Sequence, residues 1–174
     1  GWQGVSGPSA KTVEVFEHIW QAGRPHLQDA RPVRLGQEFR AWSGTLERAL
    51  RRVLESSDYL RDLGIGGTAV GTGVTAEAAY PARIVGHLRA DTGLPLRVGN
   101  DRVQLMQSMG DVAAFSGSLR TLALDLSKIA SDLRLRASGP RTGLDEIILP
   151  GVQARSSTMP GKANPGLAGR VDPL

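Results

Sequence analysis

The chain has no cysteine in its 174 residues. Disulfides, thiolate metal sites and a cysteine nucleophile are therefore excluded. Histidine is scarce as well. His18, His26 and His87 are the whole set, and no pair has metal-ligand spacing. The chain is accordingly expected to hold no metal and to use no cofactor. Aromatic residues make up 5% and do not alternate with basic ones, so a base-stacking nucleic-acid surface is not expected. No apolar run approaches the ~20 residues that cross a bilayer. Gly1 to Ala10 lacks the basic and apolar blocks of a secretory signal. These absences lead to the expectation of a cytoplasmic protein with neither a membrane nor a nucleic-acid partner. Lysine is rare too: only Lys11, Lys128 and Lys162 stand among 21 basic residues. The arginines are scattered. A net charge of +4 and a pI near 10.1 suit a small anionic partner.

What is present reads as a globular chain, 40% apolar and 22% charged, of single-domain length over residues 1–174. The spacing predicts four helical stretches. One runs from about Ser9 to Ala22, with Val13, Phe16, Ile19 and Trp20 on one side, and ends at Gly23 and Pro25. A second carries Leu35, Phe39, Trp42, Leu46, Ala49 and Val53 in alternating steps of four and three, a narrow seam for another helix. A third starts near Pro81 and stops at Thr92 and Gly93. The fourth spans Arg102 to Leu135, its stripe running through Leu105, Met109, Val112, Phe115, Leu119, Leu122, Leu126, Ile129 and Leu133. As one helix of roughly 33 residues it would be about 50 Å long, at ~1.5 Å per residue. That exceeds a compact domain of this size, so the stripe needs partners along its length. The expected fold is all-α, an elongated bundle of long helices completed by other subunits. The connections Gly23 to Arg34, Gly64 to Thr75 and Ser138 to Pro165 are polar or glycine-rich, and "DEIILPG" (Asp145 to Gly151) has room for a short strand. There is no internal repeat.

Two motifs invite a nucleotide reading and fail it. Gly64, Gly66 and Ala69 approach a dinucleotide fingerprint, but that motif needs a strand before it and a helix opening after it. A long helix is predicted before it, so close backbone packing is the better reading. "PGKA" resembles the end of a phosphate-binding loop, yet Ser156 stands where a glycine is needed and Ala163 follows Lys162.

That leaves "RSSTMPGKANP", Arg155 to Pro165. By composition it is a solvated turn. By chemistry, Ser156, Ser157, Lys162 and Asn164 also make a set suited to a carboxylate, with hydroxyls able to meet developing negative charge. His26 follows helix-breaking Pro25 amid Arg24, Gln28 and Asp29, a dense polar cluster.

Taken together, "GRPHLQDARPVRLGQEF" (Gly23 to Phe39), "GGTAVGTG" (Gly66 to Gly73), "KIASDLRLRASGPRTGLDEIILP" (Lys128 to Pro150) and "SSTMPGKANP" (Ser156 to Pro165) resemble the aspartase/fumarase superfamily of lyases in order and spacing. "LPGVQARSS" and "QLMQSMGDV" look more like the aspartate ammonia-lyases. The resemblance implies a piece of the central helical-bundle domain, a homotetramer in the full-length protein, and a signature loop at residues 151–165. It implies reversible deamination of L-aspartate to fumarate and ammonia, with fumarate hydratase or a non-catalytic oligomerisation fragment as alternatives. In that scheme Ser156 and His26 are catalytic. Ser156 is the general base, and His26 contacts the substrate's other carboxylate or relays a proton. Ser157, Lys162 and Asn164 bind the dicarboxylate. Family active sites combine segments from three subunits.

Some positions depart from the family's usual residues. Pro25 replaces a threonine, Thr75 an asparagine, Arg155 a glycine, and Gly169 the glutamate that pairs with the histidine. A Ser-Ser-x-Asn segment, further bundle helices and a small C-terminal domain have no counterpart in these residues. The isolated chain is therefore expected to be inactive.

Overall fold

Leu35 to Val53 forms a helix because one face is apolar and the other is not. Leu35, Trp42 and Ala49 are buried, Phe39, Leu46 and Val53 are half-buried, and Arg40, Glu47, Arg48, Arg51 and Arg52 stand in solvent. The helix, α1, covers Leu35–Tyr59. The computed structural model describes residues 13–150 and 164–171, and α1 is followed there by four further α-helices. The others are α2 (Tyr80–Thr92), α3 (Arg102–Gln107), α4 (Gly110–Arg136) and α5 (Gly166–Val171). Four short strands accompany them: β1 (Trp20–Ala22), β2 (Pro32–Arg34), β3 (Asp62–Leu63) and β4 (Arg97–Val98). The class is all-α, as the apolar seams predict. No described helix is long and apolar enough to cross a membrane.

The chain divides into two units, Gly1–Ala49 with Leu122–Leu174, and Leu50–Thr121. In the first unit, residues 13–16 are helical, but Trp20–Ala22 is a strand, so the helix expected to reach Ala22 stops short. β1 pairs antiparallel with β2, Trp20 opposite Arg34 and Ala22 opposite Pro32. That ladder satisfies the backbone from Trp20 to Ala22 better than a further helical turn running into Gly23 and Pro25. Gly23 permits the return: a Cβ there would lie 2.9 Å from the Arg31 carbonyl. Phe16, Phe39 and Trp42 form an aromatic run, with centroid separations of 5.1 and 4.9 Å. Gly36 lets residues 13–17 cross the first turn of α1, since a Cβ would lie 2.9 Å from Glu17 Cα. Asp145 to Pro150 forms no strand; the segment is irregular, with the Asp145 and Glu146 amides donating to the Ser138 and Arg136 carbonyls.

In the second unit, α2 begins with Pro81 in its first turn and closes at Gly93, whose φ of 68° is the left-handed stop expected there. β3 and β4 pair in parallel. Arg97 donates to Asp62 at 2.7 Å and to Asp58 at 3.2 Å, tying β4 to β3 and to the end of α1. Its hydrogen bond to Asp62 holds that carboxyl below the usual carboxylate range. Val85 is 1% exposed and anchors α2.

The glycine-rich loop is a packing device, as its composition suggests. At Gly66 (φ 82°) a Cβ would lie 2.6 Å from Pro81 Cγ, and at Gly71 (φ 92°) 2.5 Å from Val103 N. A two-residue strand does precede it, contrary to the helix predicted there, but the backbone after Ala69 is turn, not helix. It therefore offers no helix N-terminus to a phosphate.

The long helix predicted from Arg102 to Leu135 is two helices. The apolar period continues through Leu105, Met109 and Val112, yet the backbone breaks at Ser108 and Met109. Asp101 caps α3 by accepting from the Val103 and Gln104 amides at 3.0 Å each. Ser108 Oγ accepts from the Gly110 amide at 3.2 Å and so starts α4 afresh. The stripe along α4 also splits. Phe115, Leu122 and Ile129 are half-buried, while Val112, Leu119 and Leu126 remain 48, 43 and 40% exposed.

Candidate active site

Antiparallel pairing of β1 with β2 forces a tight excursion between them, and that excursion carries His26. Its base is closed by the Gly23 amide on the Arg31 carbonyl at 2.7 Å and the Ala30 amide on the Gly23 carbonyl at 3.0 Å. Within it Pro25 opens a single 3-10 turn, Pro25–Leu27, and the Gln28 amide reaches the Pro25 carbonyl at 3.1 Å. Proline's fixed φ suits that first position. The two residues after it do not relax into the same turn. His26 has φ 55° and Leu27 φ 60°, the left-handed region that L-residues seldom enter. His26 is exposed, so its imidazole is available to a ligand.

Arg24 lies at the base of this turn. Its Nε donates to Asp29 Oδ1 at 2.8 Å and its Nη1 to Glu146 Oε1 at 2.5 Å. The Glu146 bond, with Asp29 assisting, raises the Arg24 pKa above its ordinary value. Glu146 Oε2 accepts from Arg136 Nη1 at 2.7 Å. Arg136 also pairs with Glu38 and donates to Gln21, and Gln21 donates in turn to Glu38. With side chains 11 and 16% exposed, Arg136 and Glu146 are dehydrated enough that losing one partner would strand a costly charge.

A cleft of about 290 Å³ adjoins the turn, with Arg24, Glu38, Lys128, Asp132 and Arg136 in its wall. Its cations are already matched, since Lys128 pairs with Asp132 and both arginines with glutamates. The wall is a brace, not an open anion site. Among the described residues, no three His, Cys, Asp or Glu side chains gather as a metal site.

Asn164 is exposed, and its carbonyl accepts from the Gly166 amide at 2.8 Å as α5 opens. No described hydrogen bond joins it to His26. Ser156, Ser157, Lys162 and Arg155 lie outside the described residues. Sequence reasoning picked out Arg24, His26 and Asp29 but missed Gln21, Glu38, Arg136 and Glu146. The available signal was a pair of carboxylates set beside an apolar run, Asp145 and Glu146 before Ile147, Ile148 and Leu149. The other departures are now placed. Pro25 opens the turn, Gly169 lies inside α5, and Thr75 adopts φ 71°.

Residues 9–168 match the profile of a lyase family. The aspartate ammonia-lyase of Bacillus subtilis is 46% identical over 159 residues, 91% of this chain and 34% of that protein. The class II fumarate hydratase of Bacillus anthracis is 45% identical over 156 residues, 90% of this chain and 34% of that protein. The cobalt-bound crystal structure of fumarate lyase:delta crystallin from Brucella melitensis superposes with a TM-score of 0.89 at 41% identity, over 97% of this chain and 36% of that one. The chain thus spans about a third of the length of the proteins it matches.

Proposed function

Since the chain belongs to the aspartase/fumarase superfamily of lyases, we propose that it forms part of an aspartate ammonia-lyase. The reaction in this reading is reversible conversion of L-aspartate to fumarate and ammonia. Ser156 takes a proton from the carbon beside one carboxylate. The electron pair moves into that carboxylate, giving a doubly charged enolate-like intermediate, and its return expels ammonia. Lys162 and Asn164 hold the charge as it develops, and Ser157 supplies a further hydroxyl. His26 contacts the second carboxylate or passes a proton. No cofactor or metal enters this scheme. The enzyme in this reading is cytoplasmic and works on a dissolved dicarboxylate.

The observation that carries the reading is the 46% identity to an aspartate ammonia-lyase across 91% of the chain. A second reading, hydration of fumarate to malate, has the 45% identity to a fumarate hydratase in its favour. The test joins this chain to the flanking segments of the Bacillus subtilis relative and follows fumarate by its ultraviolet absorbance. Aspartate is expected to give fumarate and malate is not. Fumarate from malate alone would establish the second reading in its place. The 174-residue chain by itself is expected to give neither at a family enzyme's rate, because the site is assembled from several segments.

Self-association is part of the proposal, as a homotetramer in the complete protein. Among the described residues of the 27-residue α4, only Ala130 is buried, and Val112, Leu119 and Leu126 repeat at the spacing of a helix seam. Sedimentation at micromolar concentration is expected to show an oligomer. A monomer with a sharp thermal transition would remove this part of the reading.

A further inference from the structure

The hairpin between β1 and β2 holds two consecutive L-residues, His26 and Leu27, at φ 55° and 60°. Such conformations persist only where the surroundings over-determine them. Local backbone bonds close the loop's base, but the described bonds that reach beyond the hairpin from next to His26 come from Arg24. That guanidinium spans Asp29 within the loop and Glu146 outside it, at 2.8 and 2.5 Å. Glu146 is itself fixed. Its second oxygen accepts from Arg136, and its amide donates to the Arg136 carbonyl at 2.9 Å. Its neighbour Asp145 is also left-handed, at φ 48°. A strained residue therefore stands close to each end of the Arg24–Glu146 bridge.

We propose that Glu146 is a positioning residue for His26: seated on Arg136 at the end of α4, its carboxylate grips Arg24 and thereby fixes the left-handed turn that presents the imidazole. A carboxylate with one oxygen on each of two guanidinium groups has a set direction, which a single ion pair lacks. Glu146 touches no substrate in this account. It acts through Arg24, and its value to catalysis rests on the reading above in which His26 serves the lyase site.

Nuclear magnetic resonance of the histidine side chains tests this without turnover, with His18 and His87 as internal controls. In Glu146→Ala, the His26 resonances are expected to shift and broaden while those of His18 and His87 stay in place. Arg24→Gln leaves the Arg136–Glu146 pair intact and is expected to reproduce the change. Arg24→Lys, which keeps the charge but not the fork, is expected to restore part of it. A folded Glu146→Ala chain in which His26 moves no more than the controls would overturn the proposal. So would loss of fold in both Glu146→Ala and Arg24→Gln, which would make the bridge purely structural. In the chain completed by flanking segments, Glu146→Ala is expected to lower kcat on the order of 10²-fold with little change in KM, the cost of a misplaced group. A fall in kcat with no movement of His26 counts against the proposal. Failure of the wild-type completed chain to form fumarate would sink the lyase reading and leave the resonance result standing.

Discussion

Replacing Thr75 with asparagine is expected to raise the stability of the chain. Thr75 has φ 71°, is exposed, and among the described residues its hydroxyl donates to the adjacent Val74 carbonyl at 2.5 Å. A left-handed conformation costs an L-residue about 1–2 kcal/mol, and a β-branched side chain is among the least suited to it. Asparagine enters that region most readily, because its short amide can bond locally. The gain for Thr75→Asn should therefore be about 1 kcal/mol, or roughly 2–4 °C in Tm for a chain of this size. Thr75→Gly removes the clash outright but loses about 0.5–1 kcal/mol through greater freedom of the unfolded chain, so it should gain less. Thr75→Val keeps the branching and should gain nothing. The assay is a thermal melt followed by circular dichroism at one fixed protein concentration. A Thr75→Asn chain no more stable than wild type would refute the reasoning. A Thr75→Val chain stabilised as much as Thr75→Asn would trace the effect to the hydroxyl and not to the backbone.

Gly71→Ala should act in the opposite direction: a Cβ would lie 2.5 Å from Val103 N and 2.7 Å from the Arg102 carbonyl carbon, at φ 92°. Backbone strain and overpacking together should cost about 2–5 kcal/mol, read as loss of the folded transition in the same melt. Gly44→Ala is its control: it sits within α1 with nothing within 4 Å of the added Cβ, and should gain about 0.5–1 kcal/mol by helix propensity. The Asp62–Arg97 pair makes a pH prediction. Asp62 has a folded pKa below its unfolded value, so its contribution is present above the unfolded value of 3.8 and is lost as pH falls through the folded one. Asp62→Asn should melt below wild type at pH 7, and the two melting curves should converge in acid. A gap that persists unchanged below about pH 3 would show that the ion pair is not its source.

Much of this fold was legible because helices repeat. The α1 seam, the Pro81 start and Gly93 stop of α2, and the close packing of Gly66 and Gly71 follow from spacing and from glycine's missing Cβ. Errors arose where a local pattern met a partner it does not contain. Val13, Phe16, Ile19 and Trp20 fit a helix, but Trp20 to Ala22 found a ladder with Pro32 to Arg34. The stripe through Met109 hid a break, since apolar periodicity says nothing about Ser108 turning its hydroxyl onto the Gly110 amide. The site divides the same way. His26 and its polar neighbours announce themselves within a few residues. The Arg24–Glu146 bond joins positions 122 residues apart, which no window along the chain can connect.

The partition of the α4 stripe also bears on how this protein behaves as it is diluted. Ala130 is the one described side chain of the 27-residue α4 that is fully buried, and Phe115, Leu122 and Ile129 are half-buried. In the tetramer proposed above, the exposed row of Val112, Leu119 and Leu126 would be covered by other copies. For each association step of that tetramer, tenfold dilution would remove about 1.4 kcal/mol. On that proposal the melting temperature is expected to fall as the protein is diluted, and a melting temperature independent of concentration would count against it.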